Sequence, residues 1–249
     1  MANKQTTWTT VSKRSPQNST IKIGVSSCLL GHAVRFDGGD KRNSYITDTL
    51  RSCVEFVAVC PEVEMGLPVP REPVRLEGTP DEPRMVSVFS GTDWTVQMNR
   101  YARGRVRCDD IADLSGFILK SRSPSCGLER VKLYRARNRI REDGVGLFAR
   151  ALTERFPHLP VVEEHELAYP ARRDRFLIRA AVYHRLQQLY RKRFSRREML
   201  RFHSEHRHLV LEQSRARCRQ LDRLSASIES MSASEFRDRY LALFMEGLA

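Results

Sequence analysis

The first part of the sequence alternates short apolar runs with stretches of helical periodicity. The apolar runs are rich in β-branched residues, which predicts strands buried on both faces; they lie near residues 21–26, 55–59, 85–89, 115–120 and 131–136. Helical patterns lie near residues 44–52, 93–111 and 146–156. This alternation predicts an α/β domain whose mainly parallel sheet carries flanking helices, in the manner of a Rossmann-like fold.

The second part of the sequence has the periodicity of helices alone. One apolar stripe with spacings of four, four and three residues lies within residues 174–192; it consists of Ile178, Val182, Leu186 and Leu189. Residues 214–229 have a further helical pattern. Two capping-box spacings open the remaining helices, Ser195 with Glu198 and Ser232 with Glu235.

These patterns divide the chain into three segments. Residues 1–20 are polar and predict a disordered tail. Residues 21–170 form the predicted α/β domain, and residues 171–249 form an all-α domain. Within the α/β domain, the three prolines of the stretch Gly66–Pro73 predict an irregular, stiff loop.

Composition narrows the class of protein. The 249 residues suit one large or two small domains. The sequence has neither a membrane-spanning apolar run nor a secretory signal, so we expect a cytoplasmic protein. Six cysteines without a Cys-x-x-Cys pair favour thiol or metal chemistry over a disulfide framework or a zinc finger.

Positive charge is concentrated in the helical part. The formal net charge is +13, and residues 169–249 hold 18 Lys or Arg against nine Asp or Glu. Residues 172–201 alone hold eleven basic residues against two acidic ones. This distribution predicts a surface that binds a polyanion, although a solvated basic surface would have the same composition.

Three cysteines each follow an apolar run and open a polar or Gly/Pro-containing turn. They are Cys28, Cys60 and Cys126. Because the carboxyl ends of parallel strands gather ligands at one edge of a sheet, we expect the three thiols to share a site. Three thiolates can hold an iron–sulfur cluster and leave one iron open to a substrate. The other cysteines, Cys53, Cys108 and Cys218, lie in helical patterns and are interpreted as structural.

The strings around these cysteines resemble a known family. They read SSCLLGxxVRFDGGDK, VCPEVEMGLPVPREP and KSRSPSCG, in that order, and are similar to the thiouracil desulfidase (TudS-like) family. The helical part resembles the YbgA-like domain that follows a desulfidase domain in bacterial tRNA 4-thiouridine desulfidases. Such relatives usually have further helices beyond the position of Ala249, so a short or truncated helical domain is expected.

The resemblance implies a cofactor and site residues. Cys28, Cys60 and Cys126 match the ligands of a 4Fe-4S cluster, and Glu62 and Ser123 match positions regarded as catalytic. In the implied reaction a soft thiocarbonyl sulfur binds the open iron, and water attacks the carbon with Glu62 as general base. No electrons are exchanged overall, so neither nicotinamide nor flavin is expected. Glu64 remains an alternative base.

Further residues are candidates for substrate or RNA binding. Arg35, Asp37, Lys41 and Arg71 could line the pocket, although Arg35 and Arg71 could equally form surface salt bridges. The basic helical segment adds Arg191, Lys192, Arg193, Arg196 and Arg197 as candidate tRNA contacts. Four histidines of this part predict RNA contact or plain helix surface rather than a metal site; they are His184, His203, His206 and His208.

Three functions remain open at this point. The first is cluster-dependent desulfuration of 4-thiouridine in tRNA to uridine, which the basic helical domain favours. The second is the same chemistry on free thiouracil or a thiouridine nucleoside. The third is an iron–sulfur redox sensor that binds nucleic acid, and Glu62 argues against it because a sensor needs no general base.

Overall fold

The computed structural model describes residues 20–135 and 139–248. The predicted tail over residues 1–20 lies almost wholly outside these residues. The chain separates into two compact units, of which one is Ser19–Phe176 and the other includes Leu177–Ala249. No helix in the described ranges is long and apolar enough to cross a membrane.

A four-stranded parallel sheet forms the centre of the first unit. Its strand order is β2-β1-β5-β8, with β1 at Lys22–Ser26, β2 at Glu55–Val59, β5 at Gly116–Leu119 and β8 at Val161–Glu163. Ile23, Val25, Phe117 and Ile118 are fully buried. Gly24 is required here because a Cβ would lie 2.3 Å from the Phe117 ring. The apolar runs thus predicted β1, β2 and β5 correctly.

A second sheet of four strands is mixed rather than parallel. Its order is β4-β3-β6-β7, with β3 at Val74–Gly78, β4 at Pro83–Ser87, β6 at Val131–Arg135 and β7 at Arg139–Gly144. Only the β3/β6 pair is parallel. One face packs on a core that includes Leu76, Met85, Met98 and Leu133. The sequence predicted one mainly parallel sheet, whereas the structure has two sheets. The prediction also lacked the strands β3, β7 and β8.

The helices of the first unit are short. They are α1 at Pro61–Glu64, α2 at Thr95–Arg105, α3 at Asp109–Ala112 and α4 at Leu147–Arg155. The helix predicted over 93–111 is thus two helices, and the one predicted over 44–52 is a π-helical turn followed by a 3₁₀ turn. Further 3₁₀ turns cover Ser27–Leu30 and Glu164–Ala168. Gly66–Pro73 is irregular, as its prolines predicted.

The remaining helices confirm the all-helical C-terminal region. They are α5 at Pro170–Arg191, α6 at Arg196–Gln213, α7 at Arg215–Ala226 and α8 at Ala233–Gly247, with a 3₁₀ turn at Ile228–Ser230. Ser195 and Ser232 accept hydrogen bonds from the backbone amides of Glu198 and Glu235, so both predicted N-caps are present. The core of this unit is aromatic and includes Phe202, Phe236, Tyr240 and Phe244.

Candidate active site

Three neighbouring strands of the parallel sheet bring the three candidate cysteines together. Cys28 lies in the 3₁₀ turn after β1, Cys60 follows β2, and Cys126 lies in the loop after β5. Because β2, β1 and β5 are adjacent and parallel, their carboxyl ends meet at one edge. All three cysteines line one cavity of about 350 Å³.

Burial is the main influence on these thiols. It raises the pKa of Cys28 to about 11, and the nearby Cys60 acts in the same direction, while Lys120 and Arg35 oppose both. Burial also raises the pKa values of the Cys60 and Cys126 thiols. All three therefore stay protonated near neutral pH, and a metal centre that takes thiolate ligands must displace their protons.

The three thiols are compatible with a polynuclear centre. Within residues 20–135 and 139–248, no three His, Cys, Asp or Glu side chains close around one metal position. Cysteines that ligate an iron–sulfur cluster each bind a different iron, so they need not converge on one point. Two cations, Arg35 and Lys120, act on Cys28 and suit a centre that carries negative charge.

Glu62 lies on the wall of the same cavity. As the second residue of α1, it follows Cys60 by two positions, and its side chain is only 12% exposed. Its Oε2 accepts hydrogen bonds from Nε and Nη2 of Arg71 at 3.1 and 2.5 Å. Its Oε1 accepts one from Ser125 Oγ at 2.8 Å. A carboxylate has about four acceptor positions, so Oε1 keeps one for a water molecule.

Arg71 belongs to the cavity and is not a surface residue. Its side chain is 5% exposed, and besides Glu62 it donates from Nη1 to the carbonyl oxygens of Val34 and Pro68 at 3.0 and 3.3 Å. The loop rich in proline therefore serves to carry a buried guanidinium to the carboxylate. Arg71 therefore lines the pocket, and its ion pair with Glu62 is buried and is not the surface salt bridge of the alternative interpretation.

Ser123 and Ser125 form a hydroxyl chain that ends at Glu62. Ser123 Oγ accepts from the backbone amides of Ser125 and Cys126 at 3.3 and 3.1 Å, and it lies 3.0 Å from Ser125 Oγ. The Ser125 hydroxyl donates to Glu62, so its oxygen accepts from Ser123. The chain thus holds the Cys126 turn and connects it to the carboxylate. Sequence reasoning identified Ser123 and missed Ser125.

Glu64 is occupied away from the cavity. Its Oε1 accepts from the backbone amide of Cys60 at 2.9 Å, and its Oε2 accepts from Tyr101 Oη at 2.6 Å and Arg105 Nε at 3.1 Å. It does not contribute to the cavity wall. These contacts fix the turn that carries Cys60, and they make Glu64 a poor candidate for the general base.

The remaining pocket candidates divide. Arg35 and Lys41 line the cavity, whereas Asp37 does not. The Asp37 carboxylate is half-exposed and accepts from the backbone amide of Gly39 at 3.0 Å, which identifies it as a turn residue. Arg35 Nε is buried, lies 3.6 Å from Asp37 Oδ1 and has no hydrogen-bond partner among the described residues. Asp37 thus lies outside the cavity wall, and its role in substrate or RNA binding stays a prediction.

Sequence reasoning missed a second ion pair, of which the lysine lies on the cavity wall. Lys120 Nζ pairs with Glu164 and also donates to Ser121 Oγ at 2.9 Å. Glu164 accepts in addition from the amide and hydroxyl of Ser121 at 2.6 and 2.8 Å. Lys120 directly follows β5, and Glu164 directly follows β8, so a search for polar residues at strand ends would have found both.

Residues assigned to the helical region have mixed outcomes. Arg191, Lys192, Arg193, Arg196 and Arg197 are all exposed. Of the four histidines predicted for this region, His208 is exposed, whereas His184, His203 and His206 are buried, so their assignment to helix surface or RNA contact is wrong. His203 bonds Tyr240 and Asp222, and His206 donates to the Phe202 carbonyl. Cys218 is buried, but Cys53 and Cys108 are exposed and do not serve a core.

The fold and the cavity define an α/β protein that presents three thiols and a buried carboxylate at the carboxyl edge of a parallel sheet. The chain belongs to the 2-thiouracil desulfurase family, whose model matches residues 23–164. This range contains Cys28, Cys60, Cys126 and Glu62. The protein is therefore a desulfurase of a thiolated nucleobase.

One solved structure is similar to this chain. It is a [4Fe-4S]-dependent thiouracil desulfidase, TudS, with 33% sequence identity and a TM-score of 0.49. The alignment covers 61% of this chain and 95% of that chain. A search of curated proteins finds no match.

Proposed function

We propose that this protein removes sulfur from 4-thiouridine in tRNA, with a 4Fe-4S cluster held by Cys28, Cys60 and Cys126. The reaction is a hydrolysis in which a thiocarbonyl and water become a carbonyl and hydrogen sulfide. The observation that carries the proposal is the meeting of three thiols and the Glu62 carboxylate on one cavity of about 350 Å³.

The cluster supplies one chemical function in this proposal. With three protein ligands it leaves an open iron, a soft Lewis acid for the thiocarbonyl sulfur. Arg35 and Lys120 place positive charge beside Cys28 and so favour the thiolate form that ligation needs. The Ser123 hydroxyl holds the Cys126 turn through two backbone amides, which fixes the direction of that ligand.

Glu62 is the general base in the proposed reaction. Arg71 occupies Oε2 and holds the carboxylate plane, while Oε1 keeps an acceptor position for the attacking water. The water gives its proton to Oε1 as its oxygen bonds to the thiocarbonyl carbon. When the carbon–sulfur bond breaks, the added hydroxyl loses its remaining proton and becomes the carbonyl. The departing sulfide takes up this proton and the one held on Oε1, so hydrogen sulfide leaves and the carboxylate is regenerated.

Ser125 has a positioning role in the proposal. Its hydroxyl donates to the same Oε1 that receives the proton, and Ser123 orients it from the other side. The pair keeps the second acceptor position of Oε1 directed at one place. Loss of either hydroxyl is expected to misplace the water without removing the base.

Charge supports tRNA as the substrate. Five exposed cations lie between the end of α5 and the start of α6: Arg191, Lys192, Arg193, Arg196 and Arg197. A free base has no phosphate for these side chains to bind, whereas a polynucleotide releases counterions on binding them. The resemblance of this region to the YbgA-like domain is consistent with that use.

A second candidate is desulfuration of free thiouracil or its nucleoside. It is favoured by the match of the family to residues 23–164 alone, because that range holds every cavity residue of the proposed chemistry. Under this alternative the helical region has no part in substrate choice. The two candidates differ in whether the basic segment affects the rate.

Charge reversal separates the candidates. Changing Arg193, Arg196 and Arg197 to Glu should weaken tRNA binding and flatten its salt dependence, while turnover of the 4-thiouridine nucleoside is unchanged. The matched control reverses Arg215, Arg219 and Arg223, three exposed cations of α7. Equal tRNA affinity in wild type and the first variant would move the free-base candidate to first place.

A further inference from the structure

One large apolar side chain, on a loop that is hydrogen-bonded to the cavity-wall segment, is exposed to solvent. Phe89 lies in the loop after β4, and 82% of its surface is exposed. Neither the fold nor the proposed chemistry uses it. A single exposed apolar residue needs no explanation on its own, so its setting decides whether it matters.

The loop that carries Phe89 is held firmly. The Glu72 carboxylate accepts from the backbone amide of Phe89 and from the amide and hydroxyl of Ser90, the latter two at 2.6 and 2.7 Å. These bonds, with Ser90 first, keep the pKa of Glu72 below its usual range, so the carboxylate stays charged and accepting. The Val88 amide donates to the Pro73 carbonyl at 2.9 Å. Phe89 is thus presented to solvent from a fixed backbone.

The same bonds attach Phe89 to the cavity wall. Glu72 lies between Arg71 and Pro73, and both of these neighbours line the cavity. Phe36 also lines the cavity, is 36% exposed, and accepts at its carbonyl from the Arg71 amide at 2.8 Å. Phe89 itself is not part of the wall. The backbone of the Phe89 loop is therefore held against the chain segment that forms this part of the cavity wall.

We propose that Phe89 stacks on the nucleotide base adjacent to the thiolated base of an RNA substrate. The proposal rests on the proposed function, since a free base in the cavity has no neighbour to reach Phe89. Exposed bases in single-stranded RNA stack on aromatic side chains, and every base has a face that can do so. Two exposed cations of the cavity wall, Lys41 and Arg122, suit the phosphates of such a chain.

The expected effect is selective for polymers. Removal of one stacking platform should raise the Michaelis constant for a 4-thiouridine oligonucleotide about 5- to 100-fold. Phe89→Ala should show this loss, and Phe89→Trp should restore the wild-type value because it keeps an aromatic face. Both variants should desulfurate the 4-thiouridine nucleoside like wild type. Ile140→Ala is the matched control, as Ile140 is 50% exposed on β7.

A binding measurement on the anaerobically loaded full chain complements the kinetics. An oligonucleotide with 2-aminopurine next to uridine should change its fluorescence when wild type or Phe89→Trp binds, and much less with Phe89→Ala, because stacking alters that emission. Equal losses on RNA and nucleoside would overturn the proposal by placing Phe89 in the chemistry or the fold. If Phe89→Ala desulfurates RNA as efficiently as the wild-type protein does, the stacking proposal is overturned while the proposed function stands. A wild type that accepts nucleoside and no RNA would overturn both proposals.

Discussion

Nearly isosteric substitutions of the two carboxylates of α1 should differ in their effect on turnover. Glu62→Gln should keep the fold and the cluster but lower kcat by about 10²-fold or more, as expected for loss of a general base. The amide oxygen can still accept from Arg71, and the amide nitrogen can donate to Ser125 Oγ. The buried Arg71 loses its charged partner, which should lower the free energy of unfolding by about 1–3 kcal/mol.

Glu64→Gln should lower stability to a similar extent but leave turnover nearly unchanged. A glutamine has one acceptor oxygen, so it cannot serve the Cys60 amide on one side and Tyr101 and Arg105 on the other. We expect a loss of about 1–2 kcal/mol in stability with kcat within a few-fold of wild type. Anaerobic loss of the thiocarbonyl absorbance, iron content and thermal unfolding measure all three quantities. Wild-type turnover in Glu62→Gln together with a lost turnover in Glu64→Gln would refute the assignment of the base.

Three further predictions follow from named contacts. Single alanine substitutions at the cavity thiols, Cys28, Cys60 and Cys126, should abolish iron and sulfide content after reconstitution. Those at the exposed Cys53 and Cys108 should leave both unchanged. Ser125→Ala should lower kcat with the cluster retained, and an unchanged kcat would remove it from the water-positioning chain. Burial lowers the pKa of His206 to about 4, so between about pH 6.5 and 4 the imidazole is protonated in the unfolded chain but not in the folded one. The free energy of unfolding should therefore fall by up to about 3 kcal/mol as the pH is lowered across that range. His206→Gln should reduce that acid sensitivity in urea titrations, and an unaltered pH profile would contradict the assignment.

The strands could be predicted wherever burial requires a recognisable pattern of apolar residues in the sequence. β1 and β5 are buried on nearly every residue and appear in the sequence as apolar runs. β2 is an edge strand and is only partly buried, but it keeps the same apolar character. β7 has the sequence RIREDG and a mostly exposed surface, so pairing with β6 rather than its own pattern makes it a strand. β8 is only three residues long, too short for any period. The sequence pattern therefore missed β7 and β8, whereas the runs at 85–89 and 131–136 correspond to β4 and β6 of the second sheet.

The site could be predicted as far as it depends on strand ends. Cysteines after three apolar runs pointed to one edge, but the partners of Glu62 depend on tertiary contacts across 9 and 63 positions of sequence. The same applies to Lys120 and Glu164, which meet across 44 positions. The prediction for the histidines failed because their spacing on the helix does not show which face they occupy. His203 and His206 lie three positions apart on α6 and face the aromatic core, where each ring has a hydrogen-bond partner.

The central claim is hydrolysis of a thiolated base in this cavity, and the source of the new oxygen tests it most directly. The anaerobically loaded protein is incubated without reductant in ¹⁸O-labelled water with tRNA that contains 4-thiouridine, and the nucleosides are analysed by mass spectrometry. The account predicts uridine that carries one ¹⁸O atom per sulfide released. Uridine without the label, a requirement for reductant, or no uridine at all would contradict it.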